Sequence, residues 1–519
     1  MADFADHGPL DRVPPPFAHL WARTVEHHGD AEFLVFEQPD GQVVRWTYEQ
    51  FDHAVTAVAA GLVERGVTPG DAVHLALTNC PAFVAVWLAA NRLGAWIVPS
   101  DPQGRVPELV DHIERTRPRA GFCGADRGEV YRRAVADARP ELPVVAVDEA
   151  LGDLSALAGA ARVDWPAVGA RDRAAVMFTS GTTGRPKGVE ITQANYAFTA
   201  QVMASAAELV PDDRQLVVLP LFHANAQYYS IAPAIAVGAS VALMPAFSAS
   251  GFLPQAARHR ATCASLFAAP LRMILARGGP TEGVGLRHCW YAQNITGDQY
   301  ETLADWFGCR PCQLYGMTET IPAVLTEPTG DPVPSSMGRV TPGCRVQVRD
   351  GEVLVGGEPG LTLFAGYLDD PATTAASFTV DGWFRTGDRA RVEPDGRHYF
   401  DGRHADVLKV AGENVSVVEV ESVLAAHPAV LEAAVVGAPD PVRDEVPAAF
   451  VVPVDPADPP ATEELASWCR ERLAKAKQPR TFTLMDELPR TSVGKIRKFL
   501  LHQAANSAQE GVPVGERER

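Results

Sequence analysis

At 519 residues the chain is too long for one hydrophobic core, so at least two domains are expected. Apolar residues make up 46% and charged residues 21%, the balance of an ordinary globular protein. A formal charge of -18, uninterrupted by any Lys/Arg cluster, repels nucleic acid and anionic lipid, and neither is expected as a partner.

The first residues, MADFADHGPLDR, carry early acids and no apolar signal core, which predicts a cytoplasmic protein. Eight scattered cysteines agree with a reducing compartment, and the CxxC of Cys309 and Cys312, with no second pair at zinc-ligand spacing, reads as a buried structural pair. From Trp46, TYEQFDHAVTAVAAGLVERGVTPGD has helical periodicity with a stop at Gly66, and HLALTN begins a strand. The alternation runs to about Ala323 and predicts two doubly wound α/β subdomains, the second opening near Arg173. Between Gln215 and Ala257 no Asp, Glu, Lys or Arg occurs; Pro220, Pro233 and Pro245, with Gly238, Asn225 and Gln227, break the run into a buried βαβ unit rather than a membrane span. Val-rich pieces at Arg345–Val348 and Glu352–Val355 predict a small β-barrel or sheet. A boundary near Asp401–Arg403 separates a large N-terminal domain, 1–402, from a small α+β lid, 403–519. In the lid Glu419–Ala426, Ala433–Val436, Ala449–Val454 and Thr462–Ala476 read helix, strand, strand, helix. Residues 506–519 are polar and charged and are expected to be disordered.

Thr179 to Val189, TSGTTGRPKGV, constrains function most tightly. Gly181, Gly184 and Gly188 let the backbone turn its N–H groups toward an anion, Thr179, Ser180, Thr182 and Thr183 add hydroxyl donors, and Lys187 adds a mobile charge. That set suits a polyphosphate. The apolar run Ala174 to Phe178 reads as a buried strand delivering the loop to a sheet edge, which argues against a flexible linker. Pro186 before Lys187 and Gly188 after it exclude a Walker loop. Four more stretches follow: YGMTET at Tyr315–Thr320, WFRTGD at Trp383–Asp388, DGRHADVLKVAGENVSVVEVE at Asp401–Glu421, and LPRTSVGKIRK at Leu488–Lys498.

Together and in this order, the five stretches resemble the acyl-adenylate-forming superfamily of acyl-CoA synthetases, peptide-synthetase adenylation domains and beetle luciferases, over nearly the whole chain. The resemblance implies a large AMP-binding domain of two α/β subdomains and a small β-barrel, with a mobile α+β lid. It implies ATP-dependent activation of a carboxylic acid as acyl-AMP, release of pyrophosphate, and transfer to CoA, with ATP, Mg²⁺ and CoA as cofactor and co-substrates. On this likeness the Thr179–Gly188 loop, with Ser180, Gly181, Thr182, Thr183, Gly184 and Lys187, holds the β- and γ-phosphates, Tyr315 beside Gly316 stacks on adenine, Thr318 contacts phosphate, and Glu319 binds Mg²⁺. Asp388 binds the ribose hydroxyls, and Arg403 contacts ribose or phosphate. Lys495 bridges carboxylate and α-phosphate, Lys409 serves the second step, and Gly412 lines the pantetheine tunnel. His223 gates an acyl pocket formed by Pro220–Tyr229 and Tyr291–Thr296; Asn225, Gln227, Asn294 and the tyrosine pair favour a small, polar or aromatic acid.

Three features depart from the family pattern. The hinge position, usually charged, is Ala405; the hairpin at Asp350–Glu352 is trimmed; and the segment near Ala292 lacks a glycine-rich GGAP-like sequence. GENVS at Gly412–Ser416 with the EVE that follows, and RDE at Arg443–Glu445, resemble the carnitine and crotonobetaine CoA ligase subgroup. Beside the acid:CoA ligase stand an adenylating enzyme that passes its adenylate to a carrier-protein thiol, an amine or nitrite in a diazo-forming natural-product pathway, and a catalytically dead nucleotide-binding scaffold. Retention of Lys187, Glu319, Asp388 and Lys495 argues against the last. The partners implied are a small-molecule carboxylic acid, ATP and CoA, with a homodimer left open.

Overall fold

The computed structural model describes residues 13–150, 152–179, 186–403, 407–410, 413–440, 444–490 and 496–509; at 403, 407, 409, 413, 414, 444 and 507–509 the description stops at the backbone. The chain divides into two compact units, Met1–Gln347 with Leu354–Arg385 and Pro394–Arg397, and Val348–Val353 with Thr386–Glu393 and His398–Arg519. Among the described residues no helix is long and apolar enough to cross a membrane.

The first unit is built on two sheets. The seven-stranded sheet runs in the order Gly366–Tyr367, Lys187–Thr192, Arg173–Thr179, Trp96–Pro99, Ala72–Ala76, Ala120–Gly124, Val144–Val147. Its last five strands are parallel, and the first two are antiparallel additions at one edge. The apolar periodicity after Trp46 becomes the helix Tyr48–Glu64, opened by a Thr47 capping box with Gln50 and followed by Gly66 at φ 79°.

The nine-stranded sheet takes six parallel strands, Cys312–Tyr315, His288–Ala292, Cys263–Phe267, Arg214–Val217, Ser240–Leu243 and Glu32–Glu37, with antiparallel strands at both edges. The expectation that the second subdomain opens near Arg173 is therefore corrected. Arg173–Thr179 pairs with Trp96–Pro99 in the first sheet, while the second begins at Arg214 and recruits the N-terminal hairpin Glu32–Thr47. A strand buried on both faces carries no mark of its partner.

The uncharged run folds as a βαβ unit, with Arg214–Val217 and Ser240–Leu243 as parallel neighbours. Pro233, expected to break it, lies instead within continuous helix. Ahead of it the turn widens to π over Gln227–Ile231, where the Ala232 N–H reaches back five residues to the Gln227 carbonyl. Proline cannot donate to the carbonyl four residues before it, and the wider turn accommodates that loss.

Phe384–Val392, which lies in the second unit from Thr386 on, and His398–Arg403 form an antiparallel hairpin, and Asp350 and Gly351, at φ 52° and 80°, make the tight turn expected before Glu352. A five-stranded sheet carries Val430–Asp440 against Asp444–Pro453, with Val407–Val410, Glu413–Ser416 and Thr481–Leu484 completing it. Helices Val417–Ala425 and Thr462–Arg472 bury Val420, Leu424 and Leu465 against it. The final helix, Lys498–Gln509, runs past Ala505.

Candidate active site

Thr179 ends its strand and Lys187 begins the next, and the two residues pair across an antiparallel hairpin in which Thr179 Oγ1 donates to the Lys187 carbonyl at 3.4 Å. The intervening Ser180, Gly181, Thr182, Thr183 and Gly184 lie outside the described residues. Gly188, read from sequence as one of the cradle glycines, follows Lys187 in the strand. It sits inside the strand Lys187–Thr192 opposite Phe178, and an added Cβ would come within 3.1 Å of Leu368 Cβ and 3.2 Å of Phe178 Cε1. Close packing, rather than backbone freedom, favours glycine there.

Lys187 and Glu319 converge on a residue that sequence reasoning missed. Tyr367 pairs with Val189 across the sheet edge, which makes Lys187 its diagonal neighbour; the Lys187 ammonium lies 4.8 Å from the centre of its ring. The Tyr367 hydroxyl donates to Glu319 Oε1 at 3.0 Å. Burial, and then the Glu319 charge, push this phenol far above the usual tyrosine range, so it remains a donor.

Glu319 is buried in a single 3₁₀ turn, Thr318–Thr320, entered from the strand Cys312–Tyr315. Tyr315, at the strand end, and Thr318 are half-buried. Gly316 lets this segment pass under its neighbours, since a Cβ would lie 2.9 Å from Ala323 Cα and from Tyr229 Oη and 3.0 Å from the Pro322 carbonyl oxygen. Ile321 follows at φ 71°, ψ -78°, a strained γ-turn for a β-branched residue. Pro322 has no N–H to close that turn; Thr320 Oγ1 reaches the Pro322 carbonyl at 3.1 Å instead.

Asn294 is exposed, and its Oδ1 accepts from Gln313 Nε2 at 2.9 Å, two residues before Tyr315. In the segment that lacks the family's glycine-rich sequence, Gln293 takes φ 72°. His223 precedes the short helix Ala224–Ala226, its ring tilted against Phe222 at 4.3 Å. Gln227, read as a polar acid contact, is corrected: it is fully buried, Nε2 donates to the Leu221 carbonyl at 2.6 Å, and Oε1 accepts from Tyr196, so the fold uses both ends of the amide. Buried Asn225 Oδ1 and Tyr228 Oη, on the same helical segment, find no hydrogen-bond partner among the described residues.

In the second unit Asp388 is buried and stands opposite Arg403 in the hairpin register. Its N–H donates to Thr386 Oγ1 at 3.1 Å, and Thr386 donates in turn to the Val353 carbonyl at 2.7 Å. The backbone of Lys409 pairs with Asn414. The side chains of Arg403 and Lys409, and all of Ala405, Gly412 and Lys495, lie outside the description.

Among the described residues no cluster of three or more His, Cys, Asp or Glu could cage a metal. A single buried carboxylate such as Glu319 does fit Mg²⁺, which is held by one or two carboxylates and otherwise by phosphate and water oxygens. Cys309 is half-buried and Cys312 buried; both are free thiols pushed up by burial to about 12, which keeps them protonated and unreactive.

Residues 21–368 match the AMP-binding enzyme family, and residues 419–495 match the AMP-binding enzyme C-terminal domain. The crotonobetaine/carnitine–CoA ligase of Salmonella paratyphi A is 31% identical over 503 residues, 92% of this chain and 97% of that one. ATP-bound MatB from Rhodopseudomonas palustris is similar in structure at TM-score 0.85 and 27% identity, over 95% and 99% of the two chains. The anthranilate CoA ligase AuaEII in complex with anthranoyl-AMP is similar at TM-score 0.86 and 25% identity, over 96% and 99%.

Proposed function

Because the chain belongs to the AMP-binding enzyme family, as an AMP-forming acyl-CoA ligase, we propose that it uses ATP to convert a small carboxylic acid to acyl-AMP and then forms the thioester with CoA. The observation that carries this reading is the junction of Lys187, Tyr367 and Glu319 beside the Thr179–Lys187 hairpin. Acid and ATP are both anions, so the site must neutralise charge while holding them in line. A carboxylate oxygen attacks the α-phosphorus, the bond to the bridging oxygen breaks, and pyrophosphate leaves. Lys187 and the loop steady the departing phosphates with Thr318, Glu319 would hold Mg²⁺, and Tyr315 carries the adenine. Mg²⁺, when bound, neutralises phosphate charge. Asp388 and Arg403 orient the ribose and Lys495 bridges the two reacting anions. The CoA sulfur then displaces AMP from the acyl carbon, with Lys409 and Gly412 serving that step.

The acids named for the similar proteins, crotonobetaine, carnitine and anthranilate, are small. Buried polar atoms on Asn225 and Tyr228 support an acid of that size bearing a polar or aromatic group. The test is a screen of carboxylic acids for pyrophosphate release with and without CoA. One acid should release pyrophosphate alone and yield AMP and thioester only with CoA. AMP release indifferent to CoA, but driven by an amine, a carrier-protein thiol or nitrite, would replace the acceptor; no acid-dependent pyrophosphate release would overturn the reading.

A further inference from the structure

Arg115 lies in the last turn of the helix Val106–Thr116, far in sequence from every stretch discussed above, yet it touches both ends of the phosphate loop. At the loop's exit it donates from Nη1 to the Pro186 carbonyl at 2.8 Å, one residue before Lys187. At the entrance its guanidinium carbon lies 4.8 Å from the centre of the Phe178 ring, one residue before Thr179. Asp111, one turn earlier, pairs with the same guanidinium at 3.2 Å, and the Arg115 side chain is 17% exposed. The same helix presents His112 to Phe178, with the rings stacked at 3.9 Å and 7° apart.

The helix is itself tied to the sheet by a buried polar chain. His112 Nδ1 meets Ser100 Oγ at 2.7 Å, Ser100 Oγ meets His74 Nε2 at 2.9 Å, and His74 Nδ1 meets Tyr131 Oη at 2.7 Å. With both rings neutral, one direction satisfies the series best: Tyr131 donates to His74, His74 to Ser100, and Ser100 to His112, leaving only the His112 Nε2–H without a partner. A loop closed by a single strand pair, Thr179 with Lys187, is thus joined at both ends to an element anchored in the core.

We propose that Arg115 is a positioning residue for the Thr179–Lys187 hairpin, fixing its two strand ends so that Lys187 meets the β- and γ-phosphates. This rests on the loop's assignment in the proposed function. The test compares equilibrium binding of ATP with Mg²⁺ against binding of AMP, which lacks those two phosphates, to the full chain by titration calorimetry. Arg115→Met keeps much of the packing on Phe178 and loses the bond to Pro186; it should weaken ATP by more than twofold and up to about thirteenfold, the range of one intramolecular hydrogen bond, and leave AMP within about twofold. Arg115→Lys keeps a cation and a donor and should recover part of the loss. It also serves as the second variant if Arg115→Met does not fold, then giving the same selective loss in smaller degree. Equal weakening of ATP and AMP, or no weakening of either, overturns the proposal. Lys187→Ala is measured beside it. If that variant loses ATP selectively and the Arg115 variants do not, only the role of Arg115 falls; if it does not discriminate, the loop assignment fails and the proposal with it.

Discussion

Tyr367→Phe removes one oxygen and leaves the ring in place. The phenol is 7% exposed and Glu319 5%, so water has no ready route to replace the 3.0 Å bond between them. A hydrogen bond to a charged group contributes about 1.5 to 3 kcal/mol, a factor of roughly ten to a hundred. Glu319 has other interactions, which puts the expected loss near the lower end, about tenfold in kcat/KM for ATP. The ring beneath Lys187 survives in this variant but not in Tyr367→Leu. Losing that cation–π contact should cost a further ~0.5 to 1 kcal/mol, about two- to fivefold. The assay is acid-dependent pyrophosphate release at graded ATP and Mg²⁺ with the acid found by the screen, beside thermal unfolding of each variant. A Phe variant within twofold of the parent, or Phe and Leu variants that lose activity equally, would refute the idea that this tyrosine couples the carboxylate to the lysine.

Gly316→Ala should lose ATP binding and cost about 1 to 3 kcal/mol of stability, because two of its three contacts are backbone atoms that cannot swing aside; an unchanged melting temperature and KM for ATP would contradict the close approach. Gln293→Gly relieves a left-handed backbone and should stabilise the protein by about 1 kcal/mol in chemical denaturation, and destabilisation would show that the Gln293 side chain matters more than its backbone. Burial lowers His74 to about 3 and His112 to about 4, so in the folded protein both stay neutral where the unfolded chain, near 6.5, takes up protons. Stability should therefore fall by a few kcal/mol as pH drops from about 6.5 toward 4, and His112→Gln should flatten that slope in thermal unfolding; an identical slope would reject the assignment.

The strand over Ala174–Phe178, the helix after Trp46 and the buried charge-free βαβ unit were legible because each is written locally, in glycines, prolines and apolar runs. Tyr367 was not. A tyrosine in FAGYLDD looks like any core aromatic until strand pairing sets it beside Lys187 and folding brings Glu319 to its hydroxyl. Arg115 was missed for the same reason, since its two partners lie more than sixty residues away. Gln227 misled in the opposite sense: polarity within an apolar run suggested a ligand, whereas Tyr196 and the Leu221 carbonyl take up both ends of its amide.

The recruitment of Glu32–Glu37 into the second sheet bears on how the chain is made. Leu34 must find Val241, so the apolar segment Phe33–Phe36 leaves the ribosome about two hundred residues before its partner strand exists. At about 5 to 20 residues per second that is a wait of roughly ten to forty seconds, with an unsatisfied strand edge open to wrong partners. The seven-stranded sheet's parallel strands lie between 72 and 179 and can assemble meanwhile, so synthesis order favours building the loop-bearing sheet first and closing the other around it.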